Sequence, residues 1–258
     1  MVVGIEKFKE AFADYTDNYV IIGGTACDVV LRDTDMRARA TDDIDMILIV
    51  ENMTPDFGAA FWAFIKEGGY TPRRRNKNDE FAYELYRFEN PTNGYPVQIE
   101  LLSRHSDLLG ESSGFHLEPI PVGNGVSSLS AIMMNDDFYE LTIDNSVVED
   151  RLRIASPAAL ICLKAKAYLN LLADRENGMQ VNSKDIKKHR ADVLKLIATA
   201  SFTEPIQVSE SVLGCIHQYA DNISQMLPSQ ALEDALERSS DDIAVFVEAL
   251  RDAFIAKQ

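Results

Sequence analysis

Two carboxylates, Asp43 and Asp45, stand two residues apart at the head of an otherwise apolar run, Asp43-Ile-Asp-Met-Ile-Leu-Ile-Val50. The run is short and rich in β-branched residues, so it predicts a buried strand rather than a helix. Successive side chains on a strand alternate faces. Asp43 and Asp45 therefore share one side, while Ile44 and Met46 turn to the other and into a core. A chain carrying this segment must build a sheet with one apolar face and one face of paired charge. Like charges so close repel unless a cation lies between them. Their hard oxygens suit Mg²⁺ or Mn²⁺, which keep waters and accept substrate phosphates as further ligands.

The flanking segments extend this picture. An amphipathic helix opens the chain (MVVGIEKFKEAF), followed by the strand-like run Tyr19–Ile22, then Gly23-Gly24 and a helical stretch from Thr25 to Leu31. A glycine turn before a helix exposes backbone N–H groups and the positive end of the helix dipole, with no Cβ to obstruct a phosphate. Pro55–Lys66 is apolar at helical spacing and stops at Gly68-Gly69, and alternating segments near Phe81–Phe88 and Val97–Leu102 predict further strands. Glu100 lies within Gln98-Ile-Glu-Leu-Leu102 and is the candidate for a third ligand, with Glu84 and Glu89 on neighbouring segments as competitors. Residues 103–135 predict a long loop with short strands, and Phe138–Ile143 and Arg151–Ile154 predict strands again. From Ser156-Pro157, a helix-start pair, the pattern is helical, with helices expected to about 177 and at 183–200, 209–226, 228–238 and 240–256. This places a domain boundary near residue 155. The fold class is α/β (α+β) with a mixed sheet, followed by a C-terminal helical domain.

Charge and cysteine usage exclude several alternatives. The formal net charge of −16 opposes non-specific attraction to phosphate backbones or anionic lipid, so any nucleic-acid contact must be local. No apolar run approaches the ~18 to 20 residues of a membrane span, and the start does not read as a signal peptide. A cytoplasmic protein without membrane contact is expected. Cys27, Cys162 and Cys215 are widely separated and predict buried thiols, and His105, His116, His189 and His217 show no soft-metal spacing.

Gly23-Gly24-Thr25-Ala26 followed by Arg39-Ala-Thr41-Asp-Asp43-Ile-Asp45, with Glu100 on a later strand, resembles the nucleotidyltransferase superfamily of polymerase β type. More closely it resembles the branch containing the AbiEii toxins of abortive-infection and type IV toxin–antitoxin systems. Ser156-Pro157 through Lys164 is similar to that branch's serine-proline helix with a nucleotide-contacting lysine, and Lys184–Asp192 to its late Lys/Asp motif. The resemblance covers roughly residues 18–200. It implies a nucleotidyltransferase domain at 1–155 and a helical domain at 156–258 that closes a nucleotide cleft. It also implies transfer of an NMP group from an NTP to an acceptor hydroxyl on RNA such as tRNA, or on a protein. Asp43, Asp45 and Glu100 would be the catalytic metal ligands for Mg²⁺ or Mn²⁺. Gly23, Gly24, Thr25, Arg39, Thr41, Lys164, Asp185, Lys188 and Asp192 would contact the nucleotide. A toxin of a toxin–antitoxin or phage-defence system, with a cognate antitoxin as partner, is a further implication. Gly24 replaces the serine of many relatives, and the late motif lacks their full Asp-x-Lys-Asp run.

The residues also admit plainer roles. Leu160, Leu163 and Ala167 mark a core stripe, which leaves Lys164 and Lys166 on a solvated face by default. Asp185, Lys188 and Asp192 align on one helical face, where Lys188 and Asp192 have the spacing of a surface ion pair. Arg39 could simply pair with Asp42, and Arg73-Arg74-Arg75 with Lys77 could be a solvated loop or a polyanion contact. Residues 201–258 carry ten acidic against three basic side chains, which argues against an RNA-facing surface there. Trp62 reads as core. The alternative function is a non-catalytic nucleotide- or partner-binding protein that retains the nucleotidyltransferase fold.

Overall fold

A computed structural model describes residues 2–72, 85–102 and 135–257. The chain divides into two compact units, and the first comprises Met1–Val29, Arg39–Gly123 and Asn145–Ser156. Its described elements are α1 (Ile5–Phe12), β1 (Tyr19–Ile22), α2 (Gly23–Val30), β2 (Asp43–Leu48), α3 (Pro55–Glu67), β3 (Thr71–Pro72), β4 (Leu85–Glu89), β5 (Gln98–Leu102), β6 (Ser146–Glu149) and β7 (Leu152–Ala155). Only the last residue of α2 falls outside this unit. The strands form one mixed sheet in the order β3-β4-β5-β2-β1-β7-β6. β2 lies inside the sheet, antiparallel to β1 and parallel to β5. Ile44 and Met46–Leu48 of this interior strand are buried while Asp43 and Asp45 are half-buried, so the apolar part of its sequence faces the core.

One face of this sheet is covered by rings. Phe8 and Phe12 of α1 and Phe57, Phe61 and Phe64 of α3 are buried together with Tyr19 and Phe88. Phe8 meets Tyr19 edge-on at 5.7 Å and 89°. Phe61 meets Phe88 in the same manner at 5.4 Å and 68°. Such edge-to-face pairs contribute about 0.5–1.5 kcal/mol each beyond the area they bury. Trp62 joins the cluster through Phe61 and Phe88. The helix α3 starts as its sequence dictates, with Pro55 at the first position and the Thr54 hydroxyl accepting from the Phe57 amide at 3.2 Å.

The second unit comprises Val30–Ala38, Asn124–Asp144 and Pro157–Gln258. It contains α4 (Asp136–Asp144), α5 (Pro157–Glu176), α6 (Ser183–Thr199), β8 (Ile206–Val208), α7 (Glu210–Met226), α8 (Gln230–Leu236), α9 (Ser240–Asp252) and β9 (Phe254–Ala256). The helix α5 is buried nearly all round, from Ala158 to Ala165 without interruption, and packs against α6, α7 and α4. A helix apolar on every side belongs in the middle of a bundle. Asn182, Ser209 and Ser239 cap α6, α7 and α9 through their side chains. No helix among the described residues is long and apolar enough to cross a membrane.

Several local expectations differ from the structure. Phe138–Ile143 is helical, not a strand. Its buried residues Phe138, Tyr139, Leu141 and Thr142 repeat at helical spacing, and the Thr142 hydroxyl donates to the Phe138 carbonyl one turn back at 2.7 Å. Residues 254–256 leave the expected last helix to pair, parallel, with β8. The boundary at Ser156–Pro157 is present, but residues 30–38 also group with the helical unit. There the Lys195 ammonium donates to the Arg37 carbonyl at 3.0 Å and Arg238 pairs with Asp35. The strand expected at 81–84, Glu84, most of the loop expected at 103–135, and the basic run at 73–77 lie outside the described residues.

Candidate functional site

The polar face of the first unit's sheet is built by register. Asp45 is the cross-strand partner of Ile22 on β1 and of Glu100 on β5, and Asp43 is the partner of Gln98. Paired residues project from the same face, so Asp43, Asp45, Gln98 and Glu100 form one patch, extended by Arg87 and Glu89 of β4. The alternate residues Ile44, Met46, Ile99, Leu101 and Phe88 are buried on the opposite face, while Asp43 and Asp45 remain half-buried.

The chain reaches this patch a second time through α2. Ile22 is followed by Gly23 with φ +71, a left-handed conformation that a side chain would strain. A Cβ placed on Gly23 would run into Oδ2 of Asp45. The first turn of α2 is therefore seated directly against the Asp45 carboxylate. A Cβ on Gly24 would lie 2.9 Å from the Thr41 hydroxyl, which puts Thr41 beside the same turn. Thr25 is buried, and its hydroxyl donates to the backbone carbonyl of Asp43. Its visible task is to tie α2 to β2. Arg39 is half-buried, with an Nε that is shielded from solvent and has no hydrogen-bond partner among the described residues.

Glu100 is differently placed. It is ion-paired with Arg87 on β4, and its Oε1 accepts a hydrogen bond from the Gln98 amide at 3.0 Å. Both side chains are mostly shielded, with 12% of Glu100 and 23% of Arg87 exposed. Glu89, one of the competitors named from sequence, lies 3.9 Å from the same guanidinium. Among the described residues no group of three or more His, Cys, Asp or Glu is arranged to hold a metal ion. The donor chemistry nevertheless fits a divalent cation at Asp43 and Asp45, where two hard carboxylates project from one face of one strand and the absence of a side chain at Gly23 lets the Asp45 carboxylate lie against the first turn of α2. Arg87 was not among the residues expected from sequence. The alternation Leu85-Tyr-Arg-Phe-Glu89 would have put it on a polar face, but only the register of β4 on β5 places it at Glu100.

The helical unit holds the remaining candidates. Lys164 of α5 is 1% exposed and donates to Asp192 of α6 at 2.7 Å. The solvated lysine face expected by default is thus absent at this position, while Lys166 is half-buried. Asp185 and Lys188 are half-buried on α6, and Asp192 is buried, turned toward α5. A cavity of about 460 Å³ in this unit is lined by Arg37, Lys195 and Arg238 together with Asp35 and Glu237. Cys27, Cys162 and Cys215 are all buried and outside any disulfide, and burial pushes the Cys215 thiol up to about 11.

Compared with known proteins, the sequence matches no family model and no curated protein.

Proposed function

We propose that this chain is a metal-dependent nucleotidyltransferase that moves an NMP group from an NTP to an acceptor hydroxyl and releases pyrophosphate. The single observation that carries the proposal is the seating of Gly23 against Asp45. It brings backbone donors at a helix N-terminus and hard carboxylate oxygens to one patch, a combination suited to a metal-bound triphosphate.

In this reading Asp43 and Asp45 would hold Mg²⁺ or Mn²⁺, which when bound supplies charge neutralisation on the triphosphate. The residues of the chain orient the reactants. The N–H groups of Gly24 and Thr25 face phosphate oxygens, with no Cβ at Gly23 to obstruct them. Thr41 flanks this turn, and Arg39 offers its guanidinium to phosphate or acceptor. The acceptor oxygen attacks the α-phosphorus, forming a P–O bond as the bond from the α-phosphorus to the bridging oxygen of the β-phosphate breaks. The acceptor proton passes to solvent or a nearby carboxylate. Catalysis of this type rests on placement and electrostatics rather than on a covalent enzyme intermediate. Lys188 and Asp185 are proposed contacts to the nucleotide or acceptor. The acceptor class is RNA such as tRNA, or protein, in the cytoplasm, and a toxin role with a cognate antitoxin follows from the sequence resemblance alone.

The test is incubation of purified protein with each α-labelled NTP, Mg²⁺, and total tRNA or cell extract. Label transfer that is lost in Asp45→Asn supports the proposal. Absence of transfer with every NTP would refute it. One observation favours a second reading, a nucleotide-binding protein without transfer: Glu100, the expected third ligand, is paired with Arg87. NTP-dependent stabilisation with no pyrophosphate released would select that reading.

A further inference from the structure

We infer that Arg87 takes the place of a second cation at this site, so that the chain binds one divalent ion, on Asp43 and Asp45, rather than two. The inference rests on the nucleotide-site reading above.

Three strands carry the argument. Arg87 on β4 is the cross-strand partner of Glu100 on β5, and Glu100 is the partner of Asp45 on β2. Cross-strand partners sit side by side on one face. The guanidinium, the Glu100 carboxylate and the Asp45 carboxylate therefore form a row. Glu100 is held from both sides, by Arg87 and by the Gln98 amide at 3.0 Å. Because both charges are largely shielded from water, their attraction is screened far less than that of a surface pair.

A divalent ion binding between Asp45 and Glu100 would have to displace this guanidinium or sit against it. Displacement would strip a mostly shielded guanidinium of its close ion partner and leave it the Glu89 carboxylate 3.9 Å away. Coexistence would set three positive charges within one row of side chains. The pair Asp43 and Asp45 lies on β2, one strand farther from Arg87 than Glu100, so an ion held there does not compete with the guanidinium for its carboxylate. Glu100 then acts as a positioning residue, holding a fixed positive charge beside the metal-binding pair.

The experiment is equilibrium dialysis of the full-length protein against Mn²⁺ with each non-hydrolysable α,β-methylene NTP, counting Mn²⁺ retained per chain. Wild type should retain about one equivalent, and Glu100→Gln should do the same with affinity changed by less than about threefold. Arg87→Gln, which frees Glu100, should retain about two, or bind its second ion at least about tenfold more tightly than wild type. Asp45→Asn should lose the ion. Two tight equivalents in wild type would overturn the inference and leave the nucleotide site standing. One equivalent in Arg87→Gln, or loss of the ion in Glu100→Gln, would overturn the role given to Arg87. Retention of no ion with any analogue would sink the nucleotide-site reading and this inference with it. If Arg87→Gln lacks a cooperative melt, the wild-type stoichiometry and Glu100→Gln decide together, since Glu100→Gln is isosteric, removes one negative charge and keeps an oxygen for the Gln98 contact.

Discussion

At the scale of single residues, Gly23 is the position where conformation and chemistry meet. Its φ of +71 and the Asp45 carboxylate behind it each exclude a side chain. Gly23→Ala should therefore cost at least about 1–2 kcal/mol in urea unfolding from the backbone alone, and should also abolish NTP-dependent stabilisation. Gly24→Ala meets only the Thr41 side chain, has no positive φ, and should be milder. An equal effect of the two substitutions would refute the seating of Gly23 on Asp45. Lys164 and Asp192 make a different prediction. With both side chains buried and 2.7 Å apart, Lys164→Met removes the ammonium that faces a buried carboxylate and should destabilise the protein by up to about 3–5 kcal/mol. The double variant Lys164→Met, Asp192→Leu should recover most of that loss. A Lys164→Met protein with an unchanged midpoint would return Lys164 to a solvated face.

Between elements, the connection that matters is α2 on β2. The Thr25 hydroxyl reaches the Asp43 carbonyl across the turn, so the helix that presents Gly23 and Gly24 is fastened to the strand that presents the carboxylates. Thr25→Val keeps the shape and removes the donor. It should lower stability by about 1–2 kcal/mol, measured by urea unfolding, because a part-buried backbone carbonyl loses this hydrogen bond. Nucleotide affinity should fall with it, since the two halves of the site lose their mutual alignment. Unchanged affinity and stability would show that strand register alone sets the site. The helix α4 teaches the complementary lesson. Phe138-Tyr-Glu-Leu-Thr-Ile143 contains enough β-branched and aromatic residues to resemble a strand, yet burial at Phe138, Tyr139, Leu141 and Thr142 selects the helix. Local propensity yields when tertiary contacts reward the other period.

For the molecule as a whole, the nucleotide reading predicts linked stabilisation. Two aspartates alone hold Mg²⁺ weakly, so metal without NTP should barely move the melting midpoint. NTP with metal at about a hundredfold above its Kd should add about 2.7 kcal/mol. No shift at millimolar concentrations would count decisively against the site. The cysteines report on the integrity of the fold. Cys27, Cys162 and Cys215 are buried, and burial raises the Cys162 and Cys215 thiols above their ordinary range. Iodoacetamide at pH 8 should leave all three unmodified in the native protein and label all three in guanidinium. Cys215 titrates near 11 when folded against 9.0 ordinarily, so the unfolded chain ionises first. The stability that this neutral thiol contributes is present below pH 9 and is lost as pH rises toward 11. Cys215→Ala should flatten that alkaline decline.

Much of this was legible from the chain alone, because alternation and helical spacing are local properties. Asp43 and Asp45 share a face whatever the partner strands, Ile44 and Met46 must oppose them, and Ser156-Pro157 starts a helix in any context. The same local logic placed a helix after Tyr19–Ile22, although the helix begins at Gly23 rather than after a Gly23-Gly24 turn, and predicted buried thiols and a core Trp62. Pairing across distance was not legible. Nothing in the sequence states that Arg87 stands opposite Glu100, that Lys164 meets Asp192 across two helices, or that residues 30–38 group with α6 and α8. Those outcomes depend on strand register and interhelical packing, where the energies of many distant contacts are decided together. Sequence determined which side chains share a face, and only the tertiary structure decided which charges face one another.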